Sequence, residues 1–439
     1  MSSRYNNNSY QPSQVDAKGF AVPYSISYRS KPQPIGGAIT STYVSSSSST
    51  VIGSGDTLRF EISNRDFLAA SNAYLMFTLE TKANTASASA FAVNVFPFSS
   101  YLIRRAQIEI GSTVIDSIND YGHLYSSLCL MNCSPNYVSN DGSFEGKNRL
   151  IPEAAANGVF GGGQNPQQMI MPLLGVFQSE KALPLISTNS SVVVTLEFVA
   201  PNTLKDLVGN SAANAGFDYR LVNPKLFIQR VDPGEIYKRE FAMALNSAQA
   251  LRVPYVTFTG QSFGAASQQG TFTQIIQENC NSLLGLMIVV KEDTDAGRVG
   301  PRYVNANFSE LEVRVDSVLM PSYIIQGNVQ SFAETQRLFS NLWDTQSIAS
   351  VDYQKYSSSS ATTGAYNSAA EGNFVTGVSF KRYSDDNTIS NLGVPVRNGV
   401  EVRMKGLDLG ASKPMSVYVY LIKEQNMVIS ATGEVGVQK

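Results

Sequence analysis

Two halves of this 439-residue chain carry the same series of strand and turn signals in the same order, so the fold has to be one that can be built twice. In the first half, AQIEIGSTVIDSI places Ile108 and Ile110 before a turn at Gly111-Ser112, with Val114 or Ile115 after it, which predicts a β-hairpin. About 205 positions later, Leu311, Val313 and Val315 precede a turn at Asp316-Ser317, with Val318 after it. A helix is predicted after each hairpin. The first covers Tyr121 to Met131. The second lies in SFAETQRLFSNLWD, where Ser331 can cap the first turn with Glu334 three residues on. Phe332, Phe339 and Trp343 then share one side with Leu338 and Leu342, a packing stripe. The closing strands match best: ALPLISTNSSVVVTLEF (182 to 198) pairs with GVPVRNGVEVRMKGLDL (393 to 409), each holding a proline, Pro184 or Pro395, between aliphatic residues. KLFIQRV (225 to 231) and MSVYVYLIKE (415 to 424) end the two halves. The spacing drifts between about 195 and 211, so the copies are divergent and differ in their loops.

The remaining segments agree with a β reading. LRFEIS (58 to 63) alternates Leu58, Phe60 and Ile62 on one face, and YLMFTLE (74 to 80) is a continuous apolar strand. Only 15% of residues are charged, where soluble domains average about 25%, and 33 Gly, 18 Pro, 22 Phe and 21 Tyr favour short strands and turn-rich loops. The expected fold is all-β: two consecutive eight-stranded jelly rolls with short helices in the connecting loops. Propellers need a shorter repeat, near 40 residues. The expected division is an N-terminal arm over 1–50, partly disordered or ordered by its neighbours, a first roll over 51–232, a second over 233–424 and a C-terminal tail over 425–439.

Catalytic chemistry finds little to stand on. His123 is the single histidine, so a Ser/His/Asp triad, a Cys/His pair or a histidine-rich metal site would rest on one residue beside apolar helix positions. Cys129 and Cys133 are four apart on that segment, but two soft ligands without a second pair do not make a zinc site, and buried thiols are the simpler reading. Gly161-Gly162-Gly163 is followed by no Gly-Lys-Ser/Thr and reads as a loop. The carboxylate pairs Asp385-Asp386 and Glu292-Asp293 stand in turn-like surroundings, where acidic residues cap backbone. No catalytic, cofactor-binding or metal residue is expected, and no cofactor.

Charge and hydropathy narrow the partners. The net charge is −2 and no Lys/Arg run could track a phosphate backbone; the first fifty residues carry Arg4, Lys18, Arg29 and Lys31 against Asp16. Direct sequence-specific nucleic-acid binding is therefore not expected. Three cysteines, with Cys280 far from the other two, are too few for a disulfide framework. The N-terminus lacks the apolar core of a signal peptide, and the longest apolar run, Leu283 to Val290, is far short of a membrane span.

One family carries this pattern. Met171-Pro172-Leu173-Leu174-Gly175-Val176-Phe177, a short spacer and Ala182-Leu183-Pro184-Leu185-Ile186 resemble the segment "PLPF, spacer, ALPLIAL" of the double jelly-roll major capsid proteins of adenovirus-like, polinton-like and large icosahedral DNA viruses. IEIGSTVIDSINDYGHLYSSL is similar to that family's strand, glycine turn, strand and helix in its first roll. The likeness spans roughly residues 50 to 430, though only some forty residues carry it closely. It departs in lacking the Gly/Ala-rich opening of some large-virus members and in its sparser charges, which places it nearer smaller-genome relatives.

The resemblance implies a non-enzymatic capsid protein that assembles inside the host cell and resides in the virion. It implies a homotrimer whose six rolls form a pseudo-hexagonal capsomer, neighbouring capsomers, penton and minor cement proteins, and room for an inner membrane beneath an icosahedral shell. The rival from another class is a receptor- or carbohydrate-binding β protein, a viral spike or adhesin, which the 21 tyrosines leave open.

Overall fold

The computed structural model describes residues 38–83, 91–92, 98–133, 150–151, 167–179, 181–200, 217–265, 270–292, 303–305, 307–339, 351, 353–358, 374–381, 393–407 and 415–438. Sixteen principal strands fall into two sets of eight. The first set is β1 (Ala38–Ser45), β2 (Thr57–Ile62), β3 (Tyr74–Ala83), β4 (Ile103–Ile110), β5 (Thr113–Asn119), β6 (Gln167–Pro172), β7 (Val192–Phe198) and β8 (Phe217–Asp232). The second is β9 (Ala250–Ala265), β10 (Thr271–Ile276), β11 (Cys280–Glu292), β12 (Glu310–Val315), β13 (Val318–Leu319), β14 (Thr376–Ser379), β15 (Val400–Lys405) and β16 (Met415–Ser430).

In the first set the sheets run β1-β8-β3-β6 and β2-β7-β4-β5; in the second they run β9-β16-β11-β14 and β10-β15-β12-β13. Adding eight to each strand of the first plan yields the second, and the principal pairings are antiparallel throughout. This is the jelly-roll order, twice, so the fold is a double jelly roll.

Period-two alternation explains the sandwiches. β2 buries Leu58, Phe60 and Ile62, and β3 buries Leu75, Phe77 and Leu79 while leaving Tyr74, Met76 and Thr78 on the outer face. In the second roll, Val400, Val402 and Met404 of β15 lie in register with Val315, Val313 and Leu311 of β12. Burying a side chain of this size contributes roughly 1.5–3 kcal/mol, and the buried side chains of both rolls merge into one continuous core.

Among the described residues, three helices of more than three turns interrupt the strands. α1 (Tyr121–Asn132) follows the first hairpin, α2 (Glu235–Ala248) links the rolls and α3 (Gly327–Phe339) follows the second hairpin. In α2, Lys238 Nζ lies 3.0 Å from Asp66 and 2.9 Å from Asp232, and Phe67 packs edge-on to Tyr237 and Phe241, fixing the link to the first roll.

Three details differ from the sequence reading. Residues 38–45, inside the expected arm, form β1, paired along its length with β8. Its Ser/Thr-rich sequence sits at a sheet edge with little to bury, so no apolar alternation announces it. Within the expected tail, β16 continues to Ser430 with Met427 and Ile429 buried, and Val435–Gln438 pairs back onto it. Ser331 is not a cap: α3 begins four residues earlier, at Gly327, and the Ser331 hydroxyl is buried against Tyr356 and Thr376 at 2.6 and 2.5 Å. Trp343 and Leu342 lie outside the described residues.

Candidate functional site: the seam between the rolls

Most of the polar chemistry buried between the two halves lies in one seam. From the first roll come β5, the turn into α1 and the short 3-10 turn Gly175–Gln178; from the second come β9, β16 and the segment around Tyr303.

Asp116 stands at the seam's centre. Its Oδ2 accepts from the Val176 backbone N–H at 3.1 Å, and its Oδ1 accepts from Thr257 Oγ1 of the second roll at 2.5 Å. One carboxylate thus ties β5 to its own roll's turn and to the partner roll. Burial pushes its pKa up to about 6, against the hydrogen bonds from Thr257 and Val176 and the charge of Lys423, which favour the ionised form. Gly175 makes room for it: with φ at +73°, any Cβ there would point into the carboxylate. Next to it, the Tyr255 hydroxyl donates to the Ile115 carbonyl at 2.6 Å.

His123 lies one turn further along. Its Nδ1 is 2.9 Å from the Tyr303 hydroxyl, which is 2.5 Å from the Tyr101 hydroxyl, and its ring lies 4.5 Å from that of Tyr418. Although the imidazole keeps a little accessible surface, desolvation and then the charge of Lys291 push its pKa well below the usual range, so it is neutral and shares one hydrogen bond with Tyr303. Burial drives Tyr101, Tyr303 and Tyr420 upward, so all three remain phenols. Tyr420 donates to the Asp120 carbonyl at 3.1 Å.

A third set of contacts closes the far edge. Asn189 N–H donates to Gly433 O at 3.0 Å, the Asn189 side-chain amide donates to Thr432 O, and Thr113 Oγ1 donates to Val435 O at 2.9 Å. The terminal turn of the second roll therefore clasps the first.

Among the described residues, the imidazole meets the phenol rings of Tyr101, Tyr303 and Tyr418. A cleft of about 500 Å³ at the seam's rim is lined by Arg104, Arg105, Asn119, Asp120, Gln261 and Ser262, and both arginines pair with Glu197 at 3.3 and 3.4 Å.

The other sequence candidates scatter. Cys129 and Cys133 sit at the end of α1 and Cys280 begins β11; all three are thiols. Among the described residues no group of three His, Cys, Asp or Glu could hold a metal ion, and no helix is long and apolar enough to cross a membrane. Glu292 ends β11, while Asp293, Asp385, Asp386 and Gly161 to Gly163 lie outside the described residues. Sequence reasoning missed Asp116 and the terminal clasp. The available signal for Asp116 was an acidic residue between the apolar Ile115 and Ile118 of the first hairpin.

No protein-family model matches the chain, and no curated protein matches it by sequence. Its fold does match solved structures. A structure of the Sputnik virophage superposes with a TM-score of 0.59 at 12% identity, covering 95% of this chain and 92% of that one. A PBCV-1 virus capsid model gives 0.56 at 12% identity, covering 94% and 98%. The mavirus major capsid protein gives 0.53 at 12% identity, covering 100% and 95%. These likenesses run through both rolls.

Proposed function

We propose that the protein is a viral major capsid protein, a structural subunit without catalytic activity, which trimerises into pseudo-hexagonal capsomers that tile an icosahedral shell. The observation that carries this reading is the repeated strand order, β1-β8-β3-β6 with β2-β7-β4-β5 and then the same plan eight strands on, in two rolls packed side by side. Two like rolls per chain, taken three-fold, present six nearly equivalent sides, and such a unit covers a surface by repeating one type of contact. The full-length likeness to the mavirus major capsid protein supports the same reading. Residence in the virion follows from it, as do penton and cement partners, and a membrane beneath the shell is compatible with it. The division into an arm, two rolls and a tail belongs to this proposal with its limits revised: the first roll begins by Ala38, and the second runs through Gln438.

A spike or adhesin would gather its tyrosines on an exposed groove. Here Tyr121, Tyr219, Tyr303, Tyr356 and Tyr420 are instead among the largest fully buried side chains.

Electron microscopy of the purified protein tests the assignment, with hexagonal blocks centred on a three-fold axis expected. Because the net charge is only −2, association rests on apolar burial, and light scattering should record the trimer at both low and high salt. A monomer under all conditions would overturn the reading.

A further inference from the structure

The seam joins two unlike surfaces. The second roll contributes the outer side of β9 and β16, including Gly260, Tyr418 and Tyr420; the first contributes the end of β5 and the first turn of α1, Asn119 to His123. Since the rolls share one strand plan, each also owns the counterpart of the other's surface. The seam inside the chain uses one surface from each roll and leaves one over on each.

The first leftover surface is on β1, β8 and β3 of the first roll, the counterparts of β9, β16 and β11. Tyr43, Phe227 and Tyr74 stand in register across these three strands. Phe227 stacks on Tyr74 at 4.5 Å and meets Tyr43 edge-on at 5.4 Å. This aromatic row is open: Tyr43 is 47% exposed and the other two are half-buried, whereas Tyr418 and Tyr420 in the second roll are 9% and 0% exposed beneath the first roll.

The second leftover surface is the segment after β12 of the second roll. Gly327, at φ +64°, precedes the body of α3 as Asp120, at φ +49°, precedes α1. His123, in the first turn of α1, is inside the seam; Val329, in the first turn of α3, is 69% exposed. Val318, at the start of β13, is 57% exposed, and Tyr323 is exposed as well. Apolar side chains at the surface along the equivalent strand and helix start are what an unfilled half-interface looks like.

We propose that these two surfaces bind each other between copies of the chain: the Tyr43–Phe227–Tyr74 row of one copy receives the Val318–Val329 segment of the next. The inference rests on the shell reading for the number of copies. The contact is head-to-tail and repeats the one already made within the chain, so three copies close a ring of six rolls with six similar contacts.

Two charge insertions test it, Tyr43→Asp and Val329→Asp, both at exposed positions; the second places an acid in the first turn of a helix, where it is tolerated. Circular dichroism and thermal melting should match the unmodified protein, while light scattering should show loss of the trimer to monomer in each. Mixing the two variants should yield dimers that do not grow, because only one contact of complementary intact surfaces remains. Ile236→Asp, on the exposed face of α2, should leave the trimer intact. As an independent readout, Tyr43→Cys with Val329→Cys should give ladders of two and three covalently linked chains on oxidation, and neither single variant should. If the unmodified protein is trimeric and both charge variants stay trimeric without cross-linking, the proposed surface is wrong and another occupant, such as residues 1–37, covers the row, while the shell reading survives. An unmodified protein that is monomeric throughout overturns both.

Discussion

Asp116 and Gly175 occupy the tightest point of the seam, and each makes a separate prediction. Replacing Gly175 by alanine forces a side chain into the left-handed region, which costs about 1–2 kcal/mol, and drives its Cβ into the Asp116 carboxylate. The variant should lose at least about 2 kcal/mol in urea unfolding. Asp116 carries a pKa near 6 when folded, against 3.8 for the ordinary group. The folded state therefore holds this proton more tightly than the unfolded chain. Its stabilising effect is complete below about pH 4 and is lost as pH rises through 6, a change of about 3 kcal/mol. Asp116→Asn keeps an acceptor for Val176 and removes the titration. Stability curves of the two proteins between pH 4 and 7 should diverge by about that amount, the asparagine form gaining relative to the parent as pH rises. His123, with its lowered pKa, acts in the opposite direction, its contribution fading as pH falls below about 6.5, so the difference between the two curves isolates the carboxyl only while His123 is kept in both proteins.

Among elements, the second hairpin carries a correctable flaw. Asp316 and Ser317 both have positive φ, at 50° and 69°, and Asp316 is held there by accepting the backbone N–H groups of Arg397 at 2.9 Å and Asn398 at 2.6 Å. Ser317 has no such role among the described contacts, so Ser317→Gly should raise stability by about 0.5–1 kcal/mol, read as a higher melting temperature. Elements of this kind were the legible part of the sequence. Both hairpins, β2, β3, β7 and the helix after β5 follow directly from the alternation of Leu58, Phe60 and Ile62 and its equivalents, because a half-buried strand has to alternate. β1 was illegible since an edge strand of serine and threonine buries almost nothing. The start of α3 was misplaced because Ser331, a good capping residue, is used instead to satisfy buried hydroxyls. The seam could not be read at all: Tyr303 and His123 are 180 positions apart, and only the packing of one roll on the other makes them neighbours.

For the molecule as a whole, the merged core and the polar seam make the two rolls one unit of stability. Calorimetry of the purified protein should show one transition rather than two, since exposing either face of the seam leaves Asp116, Tyr255 and Tyr303 without their partners. Two well-separated melts would mean that the rolls are merely tethered.

The clasp formed by Thr432, Gly433 and Val435 on Asn189 and Thr113 joins residues as far as 243 and 322 positions apart. During synthesis, the first roll can fold before these residues leave the ribosome, but its seam is fastened only once they have emerged. A product stopped short of residue 431 lacks that fastening, so a fragment that holds the whole first roll still carries a seam edge with nothing to latch it.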